Sequence, residues 1–451
     1  MKYQEKIATG KTERTLQFIG TGAKIGGNYV KYYAKKIFNN DLDKTELHSD
    51  NAEDIYNTLS DLKGSALKVA QMLSMDKGIL PQEYTQKFAL SQYSANPLSG
   101  PLVIKTFQKY LGNKPNEIFD TFNLNASNAA SIGQVHTATK DGVKLAVKIQ
   151  YPGIAQSIDS DMRIVKPIAK MMFQITEKEL EKYFNEVREK LIEETNYTIE
   201  LNRGQEISLA CAGLENVFFP KYYPELSSEK ILTMQWLDGS HLADFLQTNP
   251  TQEIKNKIGQ ALWDFYNFQI HQLKKVHADP HPGNFLMTAE GKVGVIDFGC
   301  VKEIPENFYN YYFALILPEI RENKEKLESV MQYLEMVFPN DTEKVRTVFK
   351  DAFFMMTNLL ASPFNTPTFD FGDKNYIAKI YAMGEALAQN PDIRNSKEAR
   401  GSRHMLYINR TYFGLYTLLH ELGANITTGL GDWRLSIIKN ISGNKDAISQ
   451  L

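Results

Sequence analysis

The spacing of apolar positions changes several times along the chain, and each change predicts a different kind of element. From about Ala52 to Leu111 apolar residues recur at helical spacing, with Pro81 and Pro97 as boundaries. Between Phe119 and Gln150 the period shortens to two. Ser131 to Ala138 alternates, Asp141-Gly142 supplies a turn, and Lys144 to Gln150 alternates again, which predicts a hairpin. Helical spacing returns over Glu177 to Glu206, Lys230 to Leu237 reads as a strand, and beyond Gly239 the pattern is mostly helical. Within that helical region Val293 to Ile296 is a short apolar run that predicts a buried strand. No repeat or low-complexity tract interrupts the order, so the expected class is α+β.

Composition narrows this picture. The 451 residues allow roughly three domains, or a two-lobed unit with an extension. With 51 basic and 53 acidic residues the charge is nearly balanced, and no nucleic-acid partner is indicated. Cys211 and Cys300 are too few and too scattered for a disulfide framework or a metal cluster, so a reducing cytoplasm is the expected compartment. Charged residues break every apolar run before Leu16, leaving no signal-peptide core. The run Phe308 to Leu317, stopped by Pro318, falls well short of the roughly 20 apolar residues that span a bilayer. Between Arg14 and Asn40, however, there are five basic residues and no acidic one, with Ile25, Tyr29, Tyr33 and Ile37 at helical spacing. Such a segment either lies on an anionic membrane or packs its apolar stripe on the protein body.

The densest chemistry is in His277-Ala278-Asp279-Pro280-His281-Pro282-Gly283-Asn284, followed by Val293 to Ile296 and Asp297-Phe298-Gly299. An Asp, an Asn five residues later and a second Asp ending an apolar strand suit phosphoryl transfer, which needs an acceptor for the attacking group and hard oxygens for magnesium. Asp279 is the expected base, and Asn284 and Asp297 the expected metal ligands. A zinc site on His277 and His281 is disfavoured because Pro280 and Pro282 forbid the helix that would align them. His281 is expected to brace the loop; His277 either does the same or is a packed core residue. A second Asp-Phe-Gly, Asp370-Phe371-Gly372, follows a turn-like Asn365-Thr366-Pro367 stretch and is expected to be structural, with no strand before it.

Lys148 stands in Ala-Val-Lys on the second hairpin strand, 131 residues before Asp279, where a lysine would meet the α- and β-phosphates of ATP. Glu194 and Glu200, on the following helical stretch, are both candidates for its partner. Met234, Gln235, Trp236 and Leu237 are expected to link the lobes and bond the adenine. A strand lysine, a helix with glutamates, another strand and a helical lobe with the Asp/Asn/Asp set is the order of a bilobal protein-kinase-like fold.

The loop that would cover the phosphates reads Asn128-Ala129-Ala130-Ser131-Ile132-Gly133-Gln134-Val135-His136, with alanine where kinases carry glycine. Upstream lies Lys63-Gly64-Ser65-Ala66-Leu67-Lys68-Val69-Ala70-Gln71-Met72-Leu73-Ser74. Together with Lys148-Ile149-Gln150-Tyr151-Pro152-Gly153 and the Asp279/Asn284 loop, this resembles the UbiB-like family of atypical kinases, the aarF or ADCK group. The resemblance runs from about Asp61 to Gly299. It implies a protein-kinase-like fold with an N-terminal helical extension over the active site, and it implies ATP and Mg2+ as cofactors. It also implies ATPase or lipid-linked activity in support of isoprenoid quinone biosynthesis, with a prenyl-lipid or quinone precursor and quinone-biosynthesis proteins as partners. The basic segment adds an anionic membrane surface as a candidate partner, and with no run long enough to span a bilayer the protein is expected to be soluble or peripheral on the membrane.

By matching positions, Lys68 and Gln71 are the residues of the Lys-x-Gly-Gln signature that enter the cleft, Glu194-Thr195-Asn196 matches Glu-x-Asp, and Ala129, Ala130 and Ser131 line the nucleotide. Three positions depart from the family: Ala70 replaces glycine, Asn128 replaces the loop's first alanine, and Asn196 replaces an aspartate. The expected division is a basic segment at 1–50, a helical extension at 51–112, an N-lobe at 113–237 and a mostly helical C-lobe at 238–451. Alternative functions are a small-molecule phosphotransferase of the aminoglycoside or choline kinase type and a nucleotide-binding pseudokinase scaffold.

Overall fold

The computed structural model describes residues 45–62, 98–129, 132–172, 177–394 and 400–443, with residues 20, 24–28, 30–32, 35–36, 396 and 398. Most of the basic segment, Lys68, Ala70, Gln71, Ala130 and Ser131 lie outside these residues. The chain divides into two compact units, Met1–Gln205 with Pro220–Trp236, and Glu206–Phe219 with Leu237–Leu451.

In the first unit helices α1 (Thr45–Leu62) and α2 (Gly100–Leu111) precede strands β1 (Thr121–Phe122), β2 (Asn128–Ala129), β3 (Gly133–Lys140) and β4 (Val143–Gln150). Asp141 and Gly142, at φ 51° and 75°, make the two-residue turn that the twist of an antiparallel pair favours. That turn sets the register: Lys140 faces Val143, and Lys148 faces Val135. The alternation predicted from Ser131 becomes regular strand at Gly133. β5 (Val217–Phe218) belongs to the second unit, and β6 (Ile231–Gln235) returns to the first and pairs with β4. β4 is thereby a central strand, and its neighbours bury Leu145, Val147 and Ile149 against Val103 and Phe107 of α2. Met234 and Gln235, expected in a linker after the last strand, are part of β6, opposite Ala146 and Leu145, because the ladder runs on to that point; only Trp236 and Leu237 follow it.

Three helices follow the hairpin: α3 (Ile154–Met172), α4 (Glu177–Glu194) and α5 (Tyr197–Ala210). The helical stretch predicted over Glu177 to Glu206 is broken at Thr195-Asn196. Asn196 Oδ1 accepts from the Thr198 N–H at 3.0 Å, which caps a new helix. The Thr195 carbonyl accepts from Lys230 Nζ at 2.6 Å instead of continuing the old one.

In the second unit α6 (Gln252–Phe268) buries Ile258, Leu262, Phe265 and Tyr266 and runs into a π-helical turn, Gln269–Leu273. Short strands β7 (Lys275–His277), β8 (Phe285–Met287), β9 (Val293–Val295) and β10 (Val301–Glu303) come next. β9 lies between β8, antiparallel, and β5, parallel, and β10 pairs with β7. Being covered on both sides, β9 is apolar throughout, as its sequence predicts. Beyond it lie α7 (Glu306–Ala314), α8 (Glu343–Ala361), β11 (Thr368–Asp370), α9 (Arg403–Leu422), β12 (Asn425–Thr427) and α10 (Trp433–Gly443). β11 pairs with β12, so the second Asp-Phe-Gly does follow a strand, contrary to expectation. Its pairing partner lies more than fifty residues away and left no local signal. Among the described residues no helix is long and apolar enough to cross a membrane.

Candidate active site

Each unit carries its own set of candidate side chains. In the first, Lys148 points from central strand β4 to Glu200 in the first turn of α5, with Nζ 2.8 and 3.0 Å from the two carboxylate oxygens. Of the two candidate glutamates, Glu200 is therefore the partner. The Asn196 cap decides this, because it restarts the helix and sets the face on which Glu200 falls. Both members of the pair are buried, and Lys148 Nζ also sits 5.1 Å from the centre of the Tyr197 ring, one turn back on α5. Removing one partner from a buried pair strands the other charge, which typically costs about 3–5 kcal/mol. Glu194 is buried too, and its carbonyl accepts from Gln150 Nε2 at 3.4 Å.

The hairpin beneath Lys148 is braced by polar groups. His136 Nδ1 donates to the Asn123 carbonyl at 2.8 Å, and Nε2 then accepts from Gln134 Nε2 at 2.7 Å. Gln134 Oε1 in turn takes the Leu98 N–H. Burial pushes the His136 pKa down, against the upward pull of the Asn123 carbonyl. Of the loop, Asn128 and Ala129 form β2, opposite Val135 and Gln134.

In the second unit the Asp279–Asn284 loop is tied to the end of β9 by both main chain and side chains. The β8–β9 register places Phe285 opposite Val295, and the Ile296 N–H donates to the Asn284 carbonyl at 3.1 Å. This brings the residue before β8, Asn284, beside the residue after Ile296, Asp297. Asn284 Nδ2 donates to the Asp279 carbonyl at 2.9 Å, so Oδ1 is the atom a cation would take. Asp297 Oδ1 accepts from the Gly299 N–H at 2.8 Å, which fixes the carboxylate's direction. His281 braces the loop as expected: Nδ1 accepts from the Gly283 N–H at 2.9 Å.

His277 is both a core residue and a brace. It is fully buried, its Nε2–H donates to the Asp297 carbonyl at 2.7 Å, and its Nδ1 accepts from the Tyr266 hydroxyl at 3.3 Å. With both nitrogens engaged it is not available to zinc. Complete burial, reinforced by the negative charge of Asp279, holds the Tyr266 pKa well above its ordinary value, so the hydroxyl keeps its proton and remains a donor. Gln269, in the π-helical turn, accepts the His277 N–H on Oε1 at 3.0 Å and donates from Nε2 to the Phe265 carbonyl. Arg410, from α9, places Nη2 3.4 Å from Asp279 Oδ1, with both side chains largely buried. Sequence reasoning missed Tyr266, Gln269 and Arg410. The first two read as an apolar helix and its end, and Arg410 is 131 residues from its partner.

Taken unit by unit, the donors suit magnesium in the second and a phosphate in the first. Asn284 and Asp297 offer the hard oxygens that Mg2+ prefers, and Lys148 is an ammonium suited to phosphate. Asp370, of the second Asp-Phe-Gly, is exposed and faces Asn425 in the β11–β12 ladder.

Comparison with known proteins agrees with the arrangement. The ABC1 atypical kinase-like domain matches residues 90–331, more than half of the chain. The probable serine/threonine-protein kinase abkA of Dictyostelium discoideum is 25% identical over 94% of this chain and 79% of its own. The atypical kinase COQ8, mitochondrial, of Saccharomyces cerevisiae is 27% identical over 93% of this chain and 83% of its own. Of other relatives the chain spans as little as 48%. Among solved structures, the Rv3197–erythromycin complex from Mycobacterium tuberculosis superposes with a TM-score of 0.58 at 25% identity, covering 89% of this chain and 97% of that one. A kinase-like fold of two lobes, the specific loop around Asp279 and the domain match lead to one conclusion: the chain belongs to the ABC1 atypical kinase-like family.

Proposed function

We propose that the protein is an ATP- and magnesium-dependent atypical kinase or ATPase that supports isoprenoid quinone biosynthesis. The observation that carries the phosphotransferase reading is the junction of Asn284, Asp297 and Asp279. Two magnesium-type oxygens are held at one strand end, and Asn284 is hydrogen-bonded to the main chain of the candidate base. When bound, Mg2+ and ATP supply the electrophilic phosphoryl group and neutralise its charge. Asn284 Oδ1 and the Asp297 carboxylate would hold the cation. Lys148, paired with Glu200, would supply positive charge for the phosphates. The Asp279 carboxylate accepts the proton of the attacking hydroxyl or water and orients that group for attack.

Two roles rest on the family resemblance. In the first, Lys68 and Gln71 act from the N-terminal extension. In the second, the acceptor is water or a lipid-linked molecule rather than a protein, with a prenylated quinone precursor as the class of client and an anionic membrane surface as the place of work. Relatives named COQ8 support the quinone assignment.

The test has two arms. Magnesium-dependent ATP turnover by the purified protein should fall about 10²- to 10⁴-fold in Asp279→Asn, the usual cost of losing general-base help. Turnover within a factor of about two of the parent would reassign the base. Quinones and precursor lipids extracted from cells lacking the protein should differ from those of expressing cells; an unchanged profile would favour a small-molecule phosphotransferase.

A further inference from the structure

Helix α9 follows the catalytic loop residue by residue. Tyr407 packs with Ala278 and Cys300 in one buried cluster, Arg410 pairs with Asp279, and Gly414 lies against Pro280. Positions 407, 410 and 414 fall on one stripe of a helix, so a single face of α9 meets three consecutive loop residues.

Gly414 is the unexpected member. Glycine is a poor residue for a helix interior, and Gly414 does not have the positive φ that would require it. Space does require it. A Cβ built at this position would overlap Pro280 Cγ, lie 2.8 Å from Pro280 Cβ and stand 3.3 Å from the Pro280 carbonyl oxygen. The proline ring is rigid and cannot turn aside as a flexible side chain would. Nor can it move alone, because the His281 N–H donates to the Asp279 carbonyl at 2.7 Å and closes a three-residue turn around Pro280. Any displacement of Pro280 therefore moves Asp279, whose ion pair to Arg410 is already long.

We propose that Gly414 is a positioning residue for the candidate base: its missing side chain lets α9 approach Pro280 and so fixes where the Asp279 carboxylate stands. The proposal rests on the reading of Asp279 as the base, and its test has one readout that does not. Gly414→Ala is the variant. An alanine that merely improved the helix would raise thermal stability and leave turnover alone. The collision predicts the opposite for activity: a loss of about tenfold or more in kcat, in keeping with the steep cost of small misplacements, with nucleotide affinity changed less than about threefold. Amide hydrogen exchange over residues 278–285 should quicken in the same variant, whether or not the parent turns over ATP.

Pro280→Ala in the Gly414→Ala background removes the colliding Cγ and should recover part of the lost turnover and slow the exchange again. Unchanged kcat and exchange in Gly414→Ala would overturn the proposal, and so would a double variant no better than the single one. If Gly414→Ala does not fold, recovery of folding in the double variant supports the collision, and failure of both variants to fold contradicts it. A parent without turnover would count against the base assignment, while the exchange measurements would still decide the role of Gly414.

Discussion

Asp297-Phe298-Gly299 and Asp370-Phe371-Gly372 are the same tripeptide in the same unit, and locally they fold alike. In each, the Asp Oδ1 accepts from the Gly N–H at 2.8 Å, the Phe is fully buried, and a histidine ring nitrogen bonds a main-chain carbonyl of the tripeptide at 2.7 Å. They differ in what stands around them. The first follows a buried strand flanked on both sides, and the main chain of Ile296 bonds Asn284, which is joined to Asp279. The second ends an exposed two-stranded ribbon; Asp370 faces Asn425, whose N–H is taken by Asn256. Phe371 packs on Trp263 and Tyr416, as part of the aromatic core of the helical region. The tripeptide thus encodes a turn, and only the first turn is joined to the Asp279–Asn284 loop.

The histidines offer the strongest way to break this comparison. His277→Ala and His420→Ala each remove a ring whose nitrogen bonds the tripeptide's main chain, at an expected cost of about 1–3 kcal/mol of stability from the unpaired groups left behind. On the proposed function, only His277→Ala should also lower ATP turnover, by about tenfold or more, because of the two histidines only His277 bonds Asp297, the proposed metal ligand. Equal losses of turnover in the two variants, measured beside chemical denaturation, would remove the distinction.

A smaller effect is expected from Tyr266→Phe, which deletes one hydrogen bond to His277 Nδ1 and nothing else of the ring. Stability should fall by about 1 kcal/mol. Urea unfolding checks this, and a variant as stable as the parent would show that the 3.3 Å contact contributes nothing.

The mildest expected effect is that of pH on the region behind the first tripeptide. His271, in the π-helical turn, stacks on Trp433 at 4.1 Å, bonds the Tyr309 hydroxyl at 2.8 Å and packs against Phe313; Lys274 is the charged neighbour that acts on it. Burial, helped by Lys274, holds its pKa well below 6.5. The unfolded chain therefore takes up a proton first. Stability is complete above about pH 6.5 and declines as pH falls below it, a sign shared with His136. Protection of the amides over residues 265–278, measured against their intrinsic exchange rates, should fall on acidification more than that over 368–376, and the reverse order would contradict this reading.

How far the sequence reveals these features follows the range of the interactions. The β3–β4 hairpin was readable because Asp141-Gly142 and the alternation around it act over a few residues. β9 and its junction with the Asp279–Asn284 loop were readable because the apolar run and the spacing are local. Glu194 and Glu200 could not be told apart, since the capping bond of Asn196 that restarts the helix competes with continued helical propensity. Tyr266, Gln269, Arg410 and Gly414 carry no local signal: each owes its role to a contact formed only when the chain has folded back. β11 was missed for the same reason, its partner β12 lying beyond three helices.

The central claim, that the first Asp-Phe-Gly is a metal-nucleotide site and the second a structural turn, is tested most directly by thermal unfolding of the parent, Asp297→Ala and Asp370→Ala with and without saturating Mg-ATP. At about 100 times the dissociation constant, ligand should stabilise the parent by about 2.7 kcal/mol. Asp370→Ala should show the same upward shift in midpoint from its own baseline, and Asp297→Ala should show none. A parent that does not respond to Mg-ATP, or an Asp297→Ala that responds as the parent does, would contradict the account.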